Sequence, residues 1–380
     1  MRLLQVLGYA GAEGGRSGIT GVERVVELLL ESMNHERFEQ SVAYPEIGER
    51  FAHFSEHASV VLPCEPRRRY DRVYVQTLAR FIAEREIDIV VSHGHRYDFL
   101  TTFACRRFRV PHVVSRAVAL ADEPLPRLRK ALYLWVDSWT LRGCQGIIAV
   151  SEASKQRIHE TQDIPLDKMT VIRNGVRLPE VAAEARRRAR RAHGIAEDTL
   201  LVGGVGQLIP RKSFDQLVSA LGRLSRPDLA CVLIGDGPER EPLQRLARDR
   251  GVRLLLPGFL SDPYTLMGAF DIAVLPSQAE GLPLVVLESM SLGVPNIATR
   301  VAGTPEVIEE GVHGLLVPPA DEDALVGALE KLIADEELRQ RLGAAGRRRV
   351  QDHFSVEAMA TGFEECLTRI AAAAPRQAGP

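Results

Sequence analysis

The sequence predicts an α/β protein of two Rossmann-like, doubly wound parallel-sheet domains facing each other across a cleft. Three observations carry this expectation. Short apolar runs alternate with helix-length amphipathic stretches along nearly the whole chain, a pattern of βαβ units and parallel sheets. The runs are continuous in Val, Ile and Leu, which suits strands covered on both faces. There are twelve of them, more than the roughly ten strands one open sheet usually holds. Two sheets are the more economical arrangement, and 380 residues fit two or three domains of roughly 100–200 residues each.

In the first half the predicted strands are 3–8, 41–44, 59–62, 88–92, 112–115 and 146–150. Helical patterns fill 21–33, 71–85, 96–108, 125–142 and 152–161. In the second half the strands are 199–206, 229–237, 253–259, 271–277, 295–299 and 314–318, and helical patterns follow most of them. Between the halves, 178–195 is polar, Arg-rich and free of strand pattern. We place the domain boundary there: 1–178, then 179–354, with the remainder as a C-terminal segment. Functional residues are expected in strand-to-helix loops, because ligands of open α/β sheets bind beyond the carboxyl ends of the strands.

Composition excludes several classes. Lys+Arg 48 against Asp+Glu 50 gives a formal charge of −2, without the basic excess of a dedicated nucleic-acid binder. No run of 18 apolar residues exists, so no membrane-spanning helix is expected, and the N-terminus is too short and Gly-rich for a secretory signal. Cys64, Cys105, Cys144, Cys231 and Cys366 are odd in number and contain no CxxC pair. That fits a reducing cytoplasm and argues against disulfides or a zinc site.

Two stretches are candidates for chemistry. GQLIPRKS (206–213) follows a predicted strand and approaches a Walker A loop, but Arg211 stands where the second glycine belongs and Pro210 stiffens the turn. Arg211 and Lys212 would place two cations at a helix start, able to hold phosphate; the alternative is a solvated basic pair. SQAEGLPLVVLESMSLGVP (277–295) follows the strand DIAVLPS. Pro283 suits a position near N1 of a helix, leaving Gly281 and Leu282 at an anion-accepting N-terminal turn. Glu288 then sits about one and a half turns into an apolar helix. A buried carboxylate needs partners, and two vicinal sugar hydroxyls would serve; the alternative is a helix edge facing solvent.

EGLPLVVLE, with Glu280 and Glu288 eight residues apart, resembles the E-x7-E signature of retaining GT-B glycosyltransferases, most closely those of family 4. TGVERVVELL (20–30), IAVSEAS (148–154), VIRNGV (171–176), GQLIPRKSFDQLVSAL (206–221), LIGDGPER (233–240), GFLSD (258–262) and VAGTPEVIEEGVHGLLVPPAD (301–321) resemble further family segments in the family's order. The resemblance implies a GT-B fold and transfer of a sugar from a UDP- or GDP-linked donor to a hydroxyl of a glycan, lipid-linked or small-molecule acceptor, in envelope polysaccharide or glycolipid synthesis. It implies retention of anomeric configuration and no metal or other cofactor. It also implies that the last helix, about 355–372, crosses back to the first domain.

Position by position, the resemblance assigns Glu288 to the donor ribose, Glu280 to the transferred sugar, and Gly281, Leu282, Pro283, Leu284 and Val285 to the turn holding diphosphate and sugar. Lys212 matches the phosphate-binding lysine, with Arg211 beside it as a second cation. Gln207 stands where the family has arginine, and Ser213 where it has glycine. Gly235, Asp236 and Gly237 match a loop on the nucleotide side. Gly18, Thr20 and Gly21 match a Gly-rich loop that closes over donor or acceptor. The family's histidine after the fifth strand falls on Ala117, or on Arg116 if the register shifts by one. His93, His95 and Arg116 are the acceptor-side candidates. The HxH spacing of His93 and His95 lacks a carboxylate or cysteine at a helpful spacing for metal.

Residues 1–180 carry 25 Lys+Arg and 23 Asp+Glu, leaving 23 and 27 for the rest. The halves are therefore +2 and −4. Arg clusters at 67–69, 106–109 and 127–130 offer either weak contact with the inner face of a membrane or an ordinary basic surface. Two other functions stay open: a catalytically silent sugar-nucleotide-binding protein, and a GT-B nucleotide-sugar epimerase.

Overall fold

The computed structural model describes residues 1–8, 20–45, 48–68, 70–122, 126–179 and 183–373. The chain divides into two compact units. The first comprises Thr20–Asn174, the strand before it and the last helix from Val356 on; the second comprises Gly175–Ser355.

The first unit holds a seven-stranded parallel sheet: β1 (Arg2–Leu7), β2 (Glu39–Tyr44), β3 (Val60–Pro63), β4 (Ile89–His93), β5 (His112–Arg116), β6 (Gly146–Ala149) and β7 (Met169–Val171). Its order is β3-β2-β1-β4-β5-β6-β7. The sequence pattern located the first six of these. It missed β7, three residues long and only partly apolar, and the helix Gly48–His57. The second sheet holds the six strands expected: β8 (Leu200–Val205), β9 (Leu229–Ile234), β10 (Leu254–Gly258), β11 (Ile272–Leu275), β12 (Asn296–Thr299) and β13 (Leu315–Val317). Its order is β10-β9-β8-β11-β12-β13. Winding reverses between β1 and β4 in one sheet and between β8 and β11 in the other, so both sheets have a switch point there.

Each sheet is covered by helices. Leu217, Val218 and Leu221 of the helix Phe214–Leu224 and Leu325, Leu329 and Leu332 of the helix Glu322–Ala334 pack on one face of the second sheet. Met267 and Phe270 pack on the other. In the first unit, Leu78 and Ile82 join Leu100 and Ala104 over β1 and β4. The last helix, Val356–Ala373, belongs to this first unit: Glu364 accepts from the Asn34 N–H (2.7 Å) and the Arg37 guanidinium (3.3 Å), 330 and 327 residues away. The Arg186–Arg191 run lies on the helix Ala183–Ala192, where Arg186 and Arg190 pair with Asp271 inside the second unit. Those two arginines have a structural role. Among the described residues no helix is long and apolar enough to cross a membrane.

Candidate active site

The β8 and β11 loops meet at the switch point of the second sheet. After β8 the chain enters a turn, Pro210–Lys212, then Ser213 in the left-handed region (φ 49°), then the helix Phe214–Leu224. The family's glycine position is thus one that requires positive φ, and serine adopts it here. The Gln278 N–H donates to the Arg211 carbonyl (2.9 Å), and the Gln278 side-chain amide donates to Ser213 Oγ (3.0 Å). These bonds fix the Arg211–Ser213 turn against the β11 loop. Across the same seam Lys212 Nζ meets Glu280 Oε1 at 2.5 Å, with both side chains largely covered.

Burial by itself would raise the Glu280 carboxyl. Lys212, the Ser277 hydroxyl and Arg211 outweigh it and hold the group below its ordinary value. Glu280 is therefore a firm carboxylate, an acceptor and not an acid. An ammonium has three N–H donors, and this bond uses one of those on Lys212.

The helix Leu284–Ser291 follows. Pro283 is its N-cap, not its first residue: ψ is 111°, and its carbonyl accepts from Val286 and Leu287. The helical N–H groups with no acceptor inside the helix are therefore those of Leu284 and Val285, three residues beyond Gly281 and Leu282, where they were expected. Gly281 is anchored by its carbonyl, which accepts from the Gly303 N–H (2.8 Å). Leu282 is buried. Glu288 is buried, so the helix-edge alternative falls; its Oε1 accepts from the Tyr264 hydroxyl at 3.1 Å. Sequence reasoning missed Tyr264. It lies within two residues of the GFLSD segment, but nothing in the spacing pairs it with Glu288.

Gly235 and Gly237 have a backbone reason for being glycine. A Cβ on Gly235 would lie 1.9 Å from the Gly206 carbonyl oxygen, and one on Gly237 2.4 Å from that of Leu208. The β8 and β9 loops are laced together there, Leu208 N–H to the Asp236 carbonyl and Glu239 N–H to that of Leu208 (2.9 Å each). Gln207 and Asp236 are half-buried in this seam.

The acceptor-side candidates occupy the first unit. His93 is buried and bonded through Nε2 to Gln5 (3.0 Å), which bonds Gln40. Burial lowers His93 to about 4, so the imidazole is neutral. Arg116 ends β5, making Ala117 the first residue after the strand. Arg116 is 3% exposed and pairs with Asp98 (2.8 Å) and Asp137, so its charge is spent inside the unit. Burial raises Asp98 to about 6 despite Arg116. Burial also pushes Asp137 upward, but Arg116, His95 and Gln162 bring it to about 2. His95 is the candidate at a partly open position, its Nδ1 held by Asp137 Oδ1 at 3.1 Å. This contact makes Nδ1 the donor nitrogen and turns Nε2 away from the carboxylate.

Thr20 caps the helix Gly21–Ser32 reciprocally with Glu23, which occupies its hydroxyl; Gly21 is the first residue of that helix. Gly18 lies outside the described residues. Among the described residues, His93 and His95 join no group that could hold a metal. One such group, Glu31 with His53 and His57, lies on two other helices of the first unit.

With this geometry in view, comparison with known proteins is specific. Residues 19–179 match Glycosyltransferase Family 4, and residues 185–349 match Glycosyl transferases group 1. The chain belongs to the family 4 type of glycosyltransferases. It is 35% identical over 172 residues to the lipopolysaccharide core biosynthesis glycosyltransferase LpsE of Rhizobium meliloti, an alignment covering 45% of this chain and 50% of that one. The chain thus spans about half the length of that relative. It is 24% identical over 352 residues to the Escherichia coli UDP-Gal:alpha-D-GlcNAc-diphosphoundecaprenol alpha-1,3-galactosyltransferase, covering 89% and 91%. Among solved structures, HepE of Anabaena in complex with UDP-glucose matches with a TM-score of 0.86 at 21% identity, over 97% of this chain and 100% of that one. The fold is GT-B, and the described site lies in the group 1 half.

Proposed function

We propose that this family 4 chain is a retaining, metal-independent hexosyltransferase. It moves a sugar from a UDP- or GDP-linked donor to a hydroxyl acceptor in envelope polysaccharide or glycolipid synthesis, at the cytoplasmic face of a membrane. The observation that carries the reading is the Lys212–Glu280 pair at the β8/β11 switch point, with buried Glu288 about one and a half turns into the helix that follows. The donor diphosphate fits the remaining donors of Lys212, with Arg211 and the N–H groups of Leu284 and Val285 beside it. Glu288 takes the ribose hydroxyls and Glu280 a hydroxyl of the transferred sugar. These groups stabilise charge that grows on the leaving diphosphate. That oxygen can itself take the acceptor proton, so same-face substitution requires no strong protein base.

A silent binding protein is the second reading, favoured by Ala117 at the first position after β5. The orientation of His95 by Asp137 weighs against it. A thermal-shift panel of UDP, GDP and their sugars, followed by turnover with the stabilising donor, decides between them. Glu288→Gln should raise donor KM or abolish turnover in a folded protein; wild-type kinetics would remove the site. The anomeric proton of the product in NMR tests retention, and unchanged rates in EDTA test metal independence.

A further inference from the structure

The first unit contains a cavity of about 500 Å3 at the carboxyl ends of β3, β4 and β5. Three guanidinium-bearing residues line it, Arg67, Arg68 and Arg96, with Tyr70, Phe99 and Tyr133. His95 and Asp137 also line it. Cationic and aromatic walls together suit a ligand with anionic oxygens and flat or apolar faces.

Beside the cavity, the helix Arg127–Gly143 carries an uncovered apolar stripe. Leu128 (89% exposed), Leu132 (54%) and Trp135 (69%) follow spacings of four and three, so they share one face. Tyr133 and Val136, which line the cavity, are on the same helix. A chain of ring contacts ties the cavity wall to the same helix: Tyr70 to Phe99 (5.6 Å), Phe99 to Trp139 (5.9 Å), and Phe103 stacked on Trp139 (5.5 Å). Arg106 lies 4.4 Å over the Trp139 ring. Exposed Arg129 follows Leu128 at the start of the stripe.

A soluble sugar acceptor has no use for the stripe, and a bare lipid has none for the cavity. We propose that cavity and stripe together bind the acceptor, and that the acceptor is amphiphilic: a sugar joined to a lipid through phosphate or diphosphate. The head sugar and phosphate occupy the cavity against Arg67, Arg68 and Arg96, with the acceptor hydroxyl toward His95. The first lipid segments lie along Leu128, Leu132 and Trp135. This assignment rests on the glycosyltransferase reading and selects one acceptor class within it.

The chain has two tryptophans, Trp135 and Trp139, both on this helix, so intrinsic fluorescence reports on it alone. The probe is phytanyl diphosphate N-acetylglucosamine, compared with N-acetylglucosamine 1-phosphate, octyl glucoside and phosphatidylglycerol vesicles. The expected result is a saturable blue shift with the first, weakened about tenfold or more per lost guanidinium contact in Arg67→Gln/Arg68→Gln and weakened in Leu132→Gln. All three side chains are exposed, so these variants should fold. An equal response to octyl glucoside or to plain vesicles overturns the proposal, the latter in favour of simple membrane docking. Equal affinity for the sugar phosphate overturns the role of the stripe. No response from protein that a nucleotide sugar stabilises defeats this proposal and leaves the enzyme reading intact. Probe binding without any nucleotide stabilisation defeats the acceptor role.

Discussion

The switch points of the two sheets share one strand order and handle polarity in opposite ways. In the second unit, β8 (LLVGGV) and β11 (IAVL) contribute only apolar residues and glycine to the sheet. The polar chemistry begins after the strands end, in the loops that hold Lys212 and Glu280. In the first unit, Gln5, Ser92, His93, His112 and Arg116 lie within β1, β4 and β5 and are buried. They satisfy one another: Ser92 bonds Asp98 (2.5 Å) and His112 (2.7 Å), and Asp98 meets Arg116. Charge placed in a loop remains available to a ligand. Charge placed in a strand must be neutralised by the protein itself. The first arrangement builds a site, and the second builds a rigid platform beneath one.

The largest expected contrast is between Arg116→Met and Lys212→Met. Arg116→Met strands Asp98 and Asp137 without their counter-charge and should cost the first unit about 3–5 kcal/mol, measured by urea denaturation followed by tryptophan emission. Lys212→Met should leave that transition unchanged and lower turnover by roughly 10²–10³-fold, the usual loss when a charge-stabilising donor is removed. An equal loss of first-unit stability in the two variants would break the comparison.

Next is pH. Burial holds His93 near 4 and His112 near 3, against 6.5 in the unfolded chain. Their contribution is complete above about pH 6.5 and is lost as pH falls, because the unfolded chain takes up protons that the fold refuses. Asp98, raised to about 6 by burial, opposes this between its unfolded value of 3.8 and 6, where the native state holds the extra proton. Two histidines outweigh one carboxylate, so the first unit should soften before the second on acidification. Among the described residues the second unit has no buried histidine. Hydrogen exchange of peptides from both units between pH 7 and 4 would show it, and His93→Gln should remove on the order of 3 kcal/mol of this dependence. Simultaneous softening would count against the contrast.

The smallest effect should come from Ser213→Gly. It relieves a residue at φ 49°, worth about 1–2 kcal/mol, and loses the Gln278 bond, worth about 0.5–1.5 kcal/mol. Stability should change by under about 1 kcal/mol. A rise in donor KM would show that the bond positions Lys212; unchanged kinetics would show that the loop backbone suffices.

The strands were legible because parallel strands covered on both faces are written as continuous apolar runs. The candidate site of the second unit was legible for the same reason: its residues follow two such runs directly. Glu288 stood out as a carboxylate in an apolar helix, but its partner Tyr264 did not, since a hydroxyl 24 residues away leaves no periodic trace. The buried network of the first unit was equally hidden. Arg116 read as a ligand-facing arginine until Asp98 and Asp137, from two different helices, proved to enclose it. β7 escaped because three residues are too few to show a period.

The last helix has a consequence for how the chain is made. Glu364 and its neighbours complete the first unit against Asn34 and Arg37, yet the ribosome reaches them only after all of Gly175–Ser355. At about 5–20 residues per second, the first unit waits on the order of ten to forty seconds, with one helical face uncovered, while a second folding unit emerges behind it. A fragment cut at the domain boundary would preserve that unfinished condition permanently.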